Sequence, residues 1–184
     1  HNDSSWPIDA PIDFPIKSRQ DLARYRPPDP TLPGRTTQLE AFWQTAHDQL
    51  ALTGGVSGPF TTCWMLMGYE QICYALYDDP AVLTKIFRIS NEFNKEAARL
   101  SVAAGCHALW ISDDLGDSCR GFLKLDHFRE FYLPYLMELT DYVDHLGVPV
   151  LLHCCGRFTD YLPDLAQTKI ASLHPLQRTA GMDL

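Results

Sequence analysis

His153 and Cys155 stand one residue apart at the end of the run Val148-Pro149-Val150-Leu151-Leu152-His153-Cys154-Cys155-Gly156-Arg157. Side chains alternate across an extended strand, so these two point to one side, roughly 6.6 Å apart along the backbone, and Cys154 points to the other. An imidazole and a thiolate at that separation can meet on one metal ion, and zinc accepts this mixture of nitrogen and sulfur. Gly156 lets the chain leave the strand in a conformation closed to other residues. The competing reading is a buried strand whose small thiols pack and whose His is hydrogen-bonded. Three more sets of residues invite chemistry. Asp113 and Asp114, with Asp117 nearby, offer carboxylates for catalysis and are also good turn residues. His174 sits beside Pro175, and Gly54 and Gly55, followed by Gly58-Pro59, suggest a loop over which a ligand can lie, or a tight turn.

The elements that would carry these residues follow from periodicity. Val148 to His153 is a short apolar run suited to a strand buried on both faces. Similar runs predict strands near residues 49 to 54, 107 to 112 and 170 to 174, which places all four sets of candidates at strand ends. Between them, helical spacing predicts helices over 38–50, 61–77, 80–105, 126–147 and 158–167. Asp79 with Pro80 starts the third, Asp126 caps the fourth, and Pro134 restarts or bends it. His47, His127 and His145 fall on helices as solvated or capping side chains. Residues 1 to 35 hold Trp6-Pro7, Ala10-Pro11, Phe14-Pro15, Arg26-Pro27-Pro28-Asp29-Pro30 and Leu32-Pro33-Gly34. They read as a surface excursion with one short helix from Ser18 to Tyr25, capped by Ser18. Alternating strands and helices are the pattern of parallel βα units, found in doubly wound sheets and in the (β/α)₈ barrel, and in both the chemistry gathers where strands end. No Gly-x-Gly-x-x-Gly follows the first strand, which weakens a dinucleotide-binding reading.

Composition narrows the classes. A hydrophobic fraction of 46% with 21% charged residues is ordinary for a globular chain of 184 residues. A formal net charge of -8 argues against nucleic acid or an anionic membrane surface as the main partner. No apolar run approaches the roughly 20 residues that span a bilayer, and the N-terminus is no signal peptide, so the expected address is cytoplasmic. Six Cys, two of them adjacent, read as reduced thiols with one metal site rather than a disulfide framework.

Four stretches, in order, carry a family resemblance: Asp113-Asp114-Leu115-Gly116; Phe128-Arg129-Glu130-Phe131-Tyr132-Leu133-Pro134-Tyr135; Pro149-Val150-Leu151-Leu152-His153-Cys154-Cys155-Gly156; and Pro175-Leu176-Gln177 with Ala180-Gly181-Met182-Asp183-Leu184. Together they resemble the uroporphyrinogen decarboxylase superfamily, closest to its corrinoid-dependent methyltransferase branch. The resemblance spans nearly the whole chain. It implies a partial (β/α)₈ TIM barrel, an α/β fold of which residues 36–184 supply the middle strands and helices, and a fragment of a longer protein. A barrel segment with two open edges is expected to be marginally stable and prone to associate.

The resemblance also implies roles. In the methyltransferase branch a His-x-Cys pair ligates zinc together with a Cys from late in the chain, which here assigns His153 and Cys155 and leaves the third ligand outside this sequence. Asp113, Asp114, His174 and Cys154 are the substitutes within it. Asp113 and Asp114 are the catalytic candidates, and Gly54, Gly55 and His174 the cofactor-binding ones. The implied activity is methyl transfer from a methylated corrinoid, methylcobalamin or a corrinoid protein, to a small thiol such as coenzyme M. The alternatives are decarboxylation of uroporphyrinogen in haem biosynthesis, for which Asp113 is the nearest carboxylate, and a non-catalytic corrinoid- or tetrapyrrole-binding member.

Overall fold

A computed structural model describes residues 2–3, 10–11 and 13–182; the Trp6-Pro7 turn and the Asp183-Leu184 end of the last motif lie outside the described residues. Two residues of β1 (Asn2–Asp3) pair antiparallel with two of β2 (Ala10–Pro11). The rest is built on one parallel sheet in the order β3 (Thr53–Ser57), β4 (Ala108–Ser112), β5 (Val150–His153) and β6 (Ile170–His174). All three pairings are parallel, with Ser57 opposite Ser112, Ser112 opposite His153, and His153 opposite His174. These are four consecutive βα units of a (β/α)₈ barrel, with the strand ends on one rim.

Helices lie outside the sheet because one face of each strand is apolar. Val56, Leu109, Ile111, Val150 and Leu152 are buried and pack with Phe87, Leu136, Leu139 and Val143 in a single core. The longest helix, α5 (Pro80–Ala103), supplies Leu83, Ile86, Phe87 and Ala98 to it, the stripe expected from helical spacing. The inner face holds Trp110, Ser112, Leu151 and His153, half buried, and among the described residues neither the free side of β3 nor that of β6 carries a partner strand. The 184-residue chain by itself is therefore expected to sediment as a concentration-dependent oligomer, because two unpaired edges and an open inner face seek cover. A monodisperse monomer with a cooperative, reversible melt would contradict this.

Several expectations are corrected. The first strand begins at Thr53, not 49, and runs through Gly54 and Gly55, so the pair is strand rather than exit loop; the exit is Ser57-Gly58. Gly54 is glycine because α5 presses on it: a Cβ there would meet the Ser101 Cβ at 2.6 Å. The helix expected over 61–77 is two, α3 (Pro59–Met67) and α4 (Tyr69–Asp78), broken at Gly68 with φ +78. Asp79 takes the N-cap position of α5, with Pro80 after it, but its side chain makes no capping hydrogen bond and its carboxylate pairs with Arg19 instead. Asp126 lies in the first turn of α6 (Leu125–His127) rather than at its cap. A π-helical turn over Phe128–Tyr132 then leads into α7 (Leu133–His145) and absorbs Pro134, which has no N–H to donate. The helix over 158–167 reduces to a 3₁₀ turn (Thr159–Tyr161) and α8 (Leu162–Leu165).

The N-terminal stretch is more than an excursion. Helix α1 (Arg19–Arg24) forms as read, with Ser18 Oγ accepting from the Asp21 N–H, but Ile16 and Leu22 are buried, and the Ile16 N–H donates to the Leu66 carbonyl at 3.0 Å. In contrast α2 (Thr37–Ala46) buries none of its residues, although its apolar spacing predicted a packed face. His47 and His145 each bond a carbonyl one turn back in their own helix, as capping residues do, while His127 packs on the Tyr77 and Phe131 rings. No helix among the described residues is long and apolar enough to cross a membrane.

Candidate active site

The strand ends are stitched together one step at a time. The Gly58 N–H donates to the Ser112 carbonyl at 2.7 Å, the Asp113 N–H to the His153 carbonyl at 2.8 Å, and the Cys154 N–H to the His174 carbonyl at 2.8 Å. This ladder extends each pairing one residue past the strands and brings Asp113-Asp114, His153-Cys154-Cys155 and His174 to one rim. Within each doublet the two residues face opposite ways.

Asp113 and Cys154 face the helix layer. Asp113 is fully buried: its Oδ2 accepts from the Tyr132 hydroxyl at 2.7 Å and the Phe60 N–H at 3.2 Å, and its Oδ1 from the Thr61 N–H at 2.6 Å. Those two amides belong to the first turn of α3, whose cap position is Gly58 and lacks a side chain of its own. Asp113 thus caps α3 from the neighbouring strand, and a Cβ on Gly58 would lie 2.1 Å from its Oδ2. Burial pushes the Asp113 carboxyl up to about 6, against the hydrogen bonds from Tyr132, Thr61 and Phe60 that favour its charge. Cys154 is likewise enclosed; burial pushes its thiol up, and its sulfur accepts from the Leu115 N–H at 3.3 Å.

Asp114 and Cys155 face the open side. His153 Nε2 lies 3.4 Å from Cys155 Sγ and 3.6 Å from Asp114 Oδ1, and the three ligand atoms all fall within 4.8 Å of one another. Asp114 is held in place because its Oδ1 accepts from the Cys155 N–H at 2.8 Å and its own N–H donates to Thr61 Oγ1 at 3.2 Å. Burial, then the Asp114 charge, raises the Cys155 thiol. A tetrahedral zinc with ordinary nitrogen, sulfur and oxygen bond lengths needs ligand atoms roughly 3.4–3.6 Å apart; the two edges from His153 Nε2 match this spacing, and the Cys155–Asp114 edge lies within 4.8 Å. The fit turns on Asp114, which would supply an oxygen donor from the end of a different strand than the His-x-Cys pair.

His174 joins the cluster from β6. Its Nδ1 lies 3.1 Å from His153 Nδ1, and the Trp110 ring lies against both imidazoles, with centroids 5.5 Å from His153 and 4.9 Å from His174. The loops behind are clasped at two glycines: a Cβ on Gly156 (φ +79) would meet the Gly116 carbonyl oxygen at 2.3 Å, and one on Gly116 the Arg157 carbonyl oxygen at 2.3 Å. The left-handed exit read for Gly156 is therefore present. Gly55 lies mid-strand on the inner side of β3, opposite Trp110, and Gly54 faces α5.

A cleft of about 220 Å³ opens beside the cluster, lined by Phe60, Thr61, Trp64, Asp114, Gly116, Phe122 and Cys155. Sequence reasoning named Asp114 and Cys155 but missed Phe60, Thr61, Trp64 and Phe122 in the walls of this cleft, the Tyr132 partner of Asp113, and the Trp110 stack. Thr61 carried a usable signal, since it follows Gly58-Pro59 at a strand-to-helix step on the catalytic rim. Tyr132 and Trp110 carried none, being indistinguishable from the apolar residues beside them.

Comparisons with known proteins follow the same lines. The sequence model described as uroporphyrinogen decarboxylase (URO-D) matches residues 10–179. A uroporphyrinogen decarboxylase of Anaeromyxobacter dehalogenans is 28% identical over 152 residues, covering 79% of this chain and 43% of that protein. The methylated-thiol–coenzyme M methyltransferase of Methanosarcina mazei is 26% identical over 115 residues, covering 62% of this chain and 30% of that protein. The methylcobamide:CoM methyltransferase of Methanosarcina acetivorans is 22% identical over 130 residues, covering 71% and 38%. The solved structure of a methyltransferase from Methanosarcina mazei superposes with a TM-score of 0.64 at 22% identity, over 73% of this chain and 39% of that one, which shows a shared fold. The chain spans under half the length of the curated relatives it matches.

Proposed function

The chain belongs to the uroporphyrinogen decarboxylase family, and within it we propose zinc-dependent methyl transfer from a methylated corrinoid to a small thiol. The observation that carries this reading is the convergence of His153 Nε2, Cys155 Sγ and Asp114 Oδ1 at the strand ends. These three would hold the zinc, leaving a fourth position toward the cleft. When bound, zinc would supply the positive charge that keeps a thiol substrate deprotonated near neutral pH.

The chain's own residues do the rest. Asp114 is aimed by the Cys155 N–H and, through its own amide, by Thr61. Asp113 holds the α3 amides and so places Thr61 and Phe60 at the edge of the cleft. Phe60, Trp64 and Phe122 give the cleft an apolar wall that excludes water from a reacting sulfur. On this reading Asp113 is a positioning residue and Asp114 a ligand; His174 acts beside His153, Gly54 serves packing against α5, and Gly55 lies exposed on the inner face. The methyl donor would be a corrinoid, in keeping with the name of one relative, a methylcobamide:CoM methyltransferase, and on this proposal a partner protein would carry it.

A second reading is uroporphyrinogen decarboxylation, favoured by the decarboxylases among the relatives, one of which matches 79% of this chain. Metal analysis with turnover assays separates the two. Methyl transfer predicts about one zinc per chain and thiol methylation with methylcobalamin as donor; a zinc-free protein that releases carbon dioxide from uroporphyrinogen would overturn it.

A further inference from the structure

We infer that His174 is a positioning residue for His153: its Nδ1 accepts the His153 Nδ1–H, and this leaves the His153 Nε2 lone pair facing Cys155 and Asp114. The inference rests on the reading of His153 as a metal ligand and adds to it the group that decides which ring nitrogen is free.

The two Nδ1 atoms lie 3.1 Å apart, a hydrogen-bond distance between atoms of the same kind. A neutral imidazole carries one N–H donor and one acceptor nitrogen, so one ring must donate here and the other accept. If His174 donates, the proton of His153 sits on Nε2, between Cys155 Sγ and Asp114 Oδ1, where an ion would need a lone pair. If His153 donates, Nε2 is bare and points at both other ligands. Only the second arrangement is compatible with the donor set. Ligating histidines usually give their other N–H to a carboxylate, a carbonyl or water; in this chain a second imidazole takes that place.

The backbone makes the pair obligatory rather than incidental. His153 and His174 are register partners on adjacent parallel strands, and the Cys154 N–H bonds the His174 carbonyl, so neither residue can shift without unzipping the end of β5–β6. Trp110 on β4 then closes against both rings, at interplanar angles of 28° to His153 and 54° to His174, which restricts their rotation.

The experiment uses the zinc-loaded protein and two variants. His174→Leu fills the space without an acceptor, and His174→Asn keeps an oxygen close to the place of Nδ1. Zinc affinity by chelator competition should fall about 10- to 100-fold in His174→Leu and recover most of that loss in His174→Asn. In wild-type protein labelled with ¹⁵N-histidine, a scalar coupling across the hydrogen bond should connect His153 Nδ1 with His174 Nδ1, with Nε2 of His153 showing the metal-bound shift. Wild-type zinc affinity in His174→Leu, or a metal-bound Nδ1 on His153, would overturn the inference while leaving the zinc site standing. A wild-type protein that takes up no zinc would instead bring down the metal reading itself, and the inference with it.

Discussion

Cys155→Ala and His153→Ala should each release the zinc and abolish thiol methylation, while Cys154→Ala keeps both. Structural zinc sites of four ligands bind with on the order of 10–16 kcal/mol, so each ligand accounts for roughly 3 kcal/mol and its loss weakens binding by a hundredfold or more. Asp114→Ala should fall in the same class, because its Oδ1 lies 3.6 Å from His153 Nε2 and completes the trio. Asp114→Asn, which keeps one oxygen but loses the charge, should lie between. Cys154 is the internal control: it is buried against the helix layer, so its replacement removes packing and the acceptor of the Leu115 N–H without touching the cleft. Metal analysis of the purified variants gives the answer, and full zinc in Cys155→Ala would remove the main support for methyl transfer.

The second large effect is on stability and depends on pH. Burial raises the Asp113 carboxyl from 3.8 to about 6 in the folded protein, so the folded chain holds this proton more tightly than the unfolded one. The stability that the neutral acid contributes is complete below the unfolded value and is lost as pH rises through the folded one. The loss should approach about 3 kcal/mol between pH 4 and pH 7. The carboxylates of half-buried Asp79 and exposed Asp117, held low by Arg19 and by backbone N–H groups respectively, push the other way, so the total curve mixes signs. The difference between wild type and Asp113→Asn isolates the buried group: urea midpoints of the two should diverge steadily across that window. Parallel curves would show that Asp113 does not titrate in the fold as its burial dictates.

Much of the scaffold could be read from the chain because strand and helix periods differ and because the candidate residues closed each apolar run. The four parallel strands, the rim at their ends, the long α5 and the left-handed Gly156 all follow from such local signals. What failed was local too, but ambiguous. Gly54-Gly55 reads the same whether a strand is ending or a helix is pressing close, and only the contact with Ser101 decides. Gly68 breaks one predicted helix into two at a positive φ that its neighbours do not announce. Which of the four substitutes stands beside the His-x-Cys pair, and the Asp113–Tyr132 pair, were out of reach for a different reason. Both join residues of different elements, and the curvature of a sheet, not spacing along the chain, sets which side chains meet.

The two faces of the rim have one more consequence. Asp113-Asp114 and Cys154-Cys155 are doublets of identical residues, yet in each the first member serves the fold and the second serves the cleft. Chemistry alone does not distinguish the members; the parity of the pleat does. A single residue inserted into β4 or β5 would leave every motif letter in place and exchange the faces within the doublet, putting a carboxylate that should cap α3 into solvent, or a candidate metal donor into the core. Counted by composition such a protein would still look intact, and by function it should be silent.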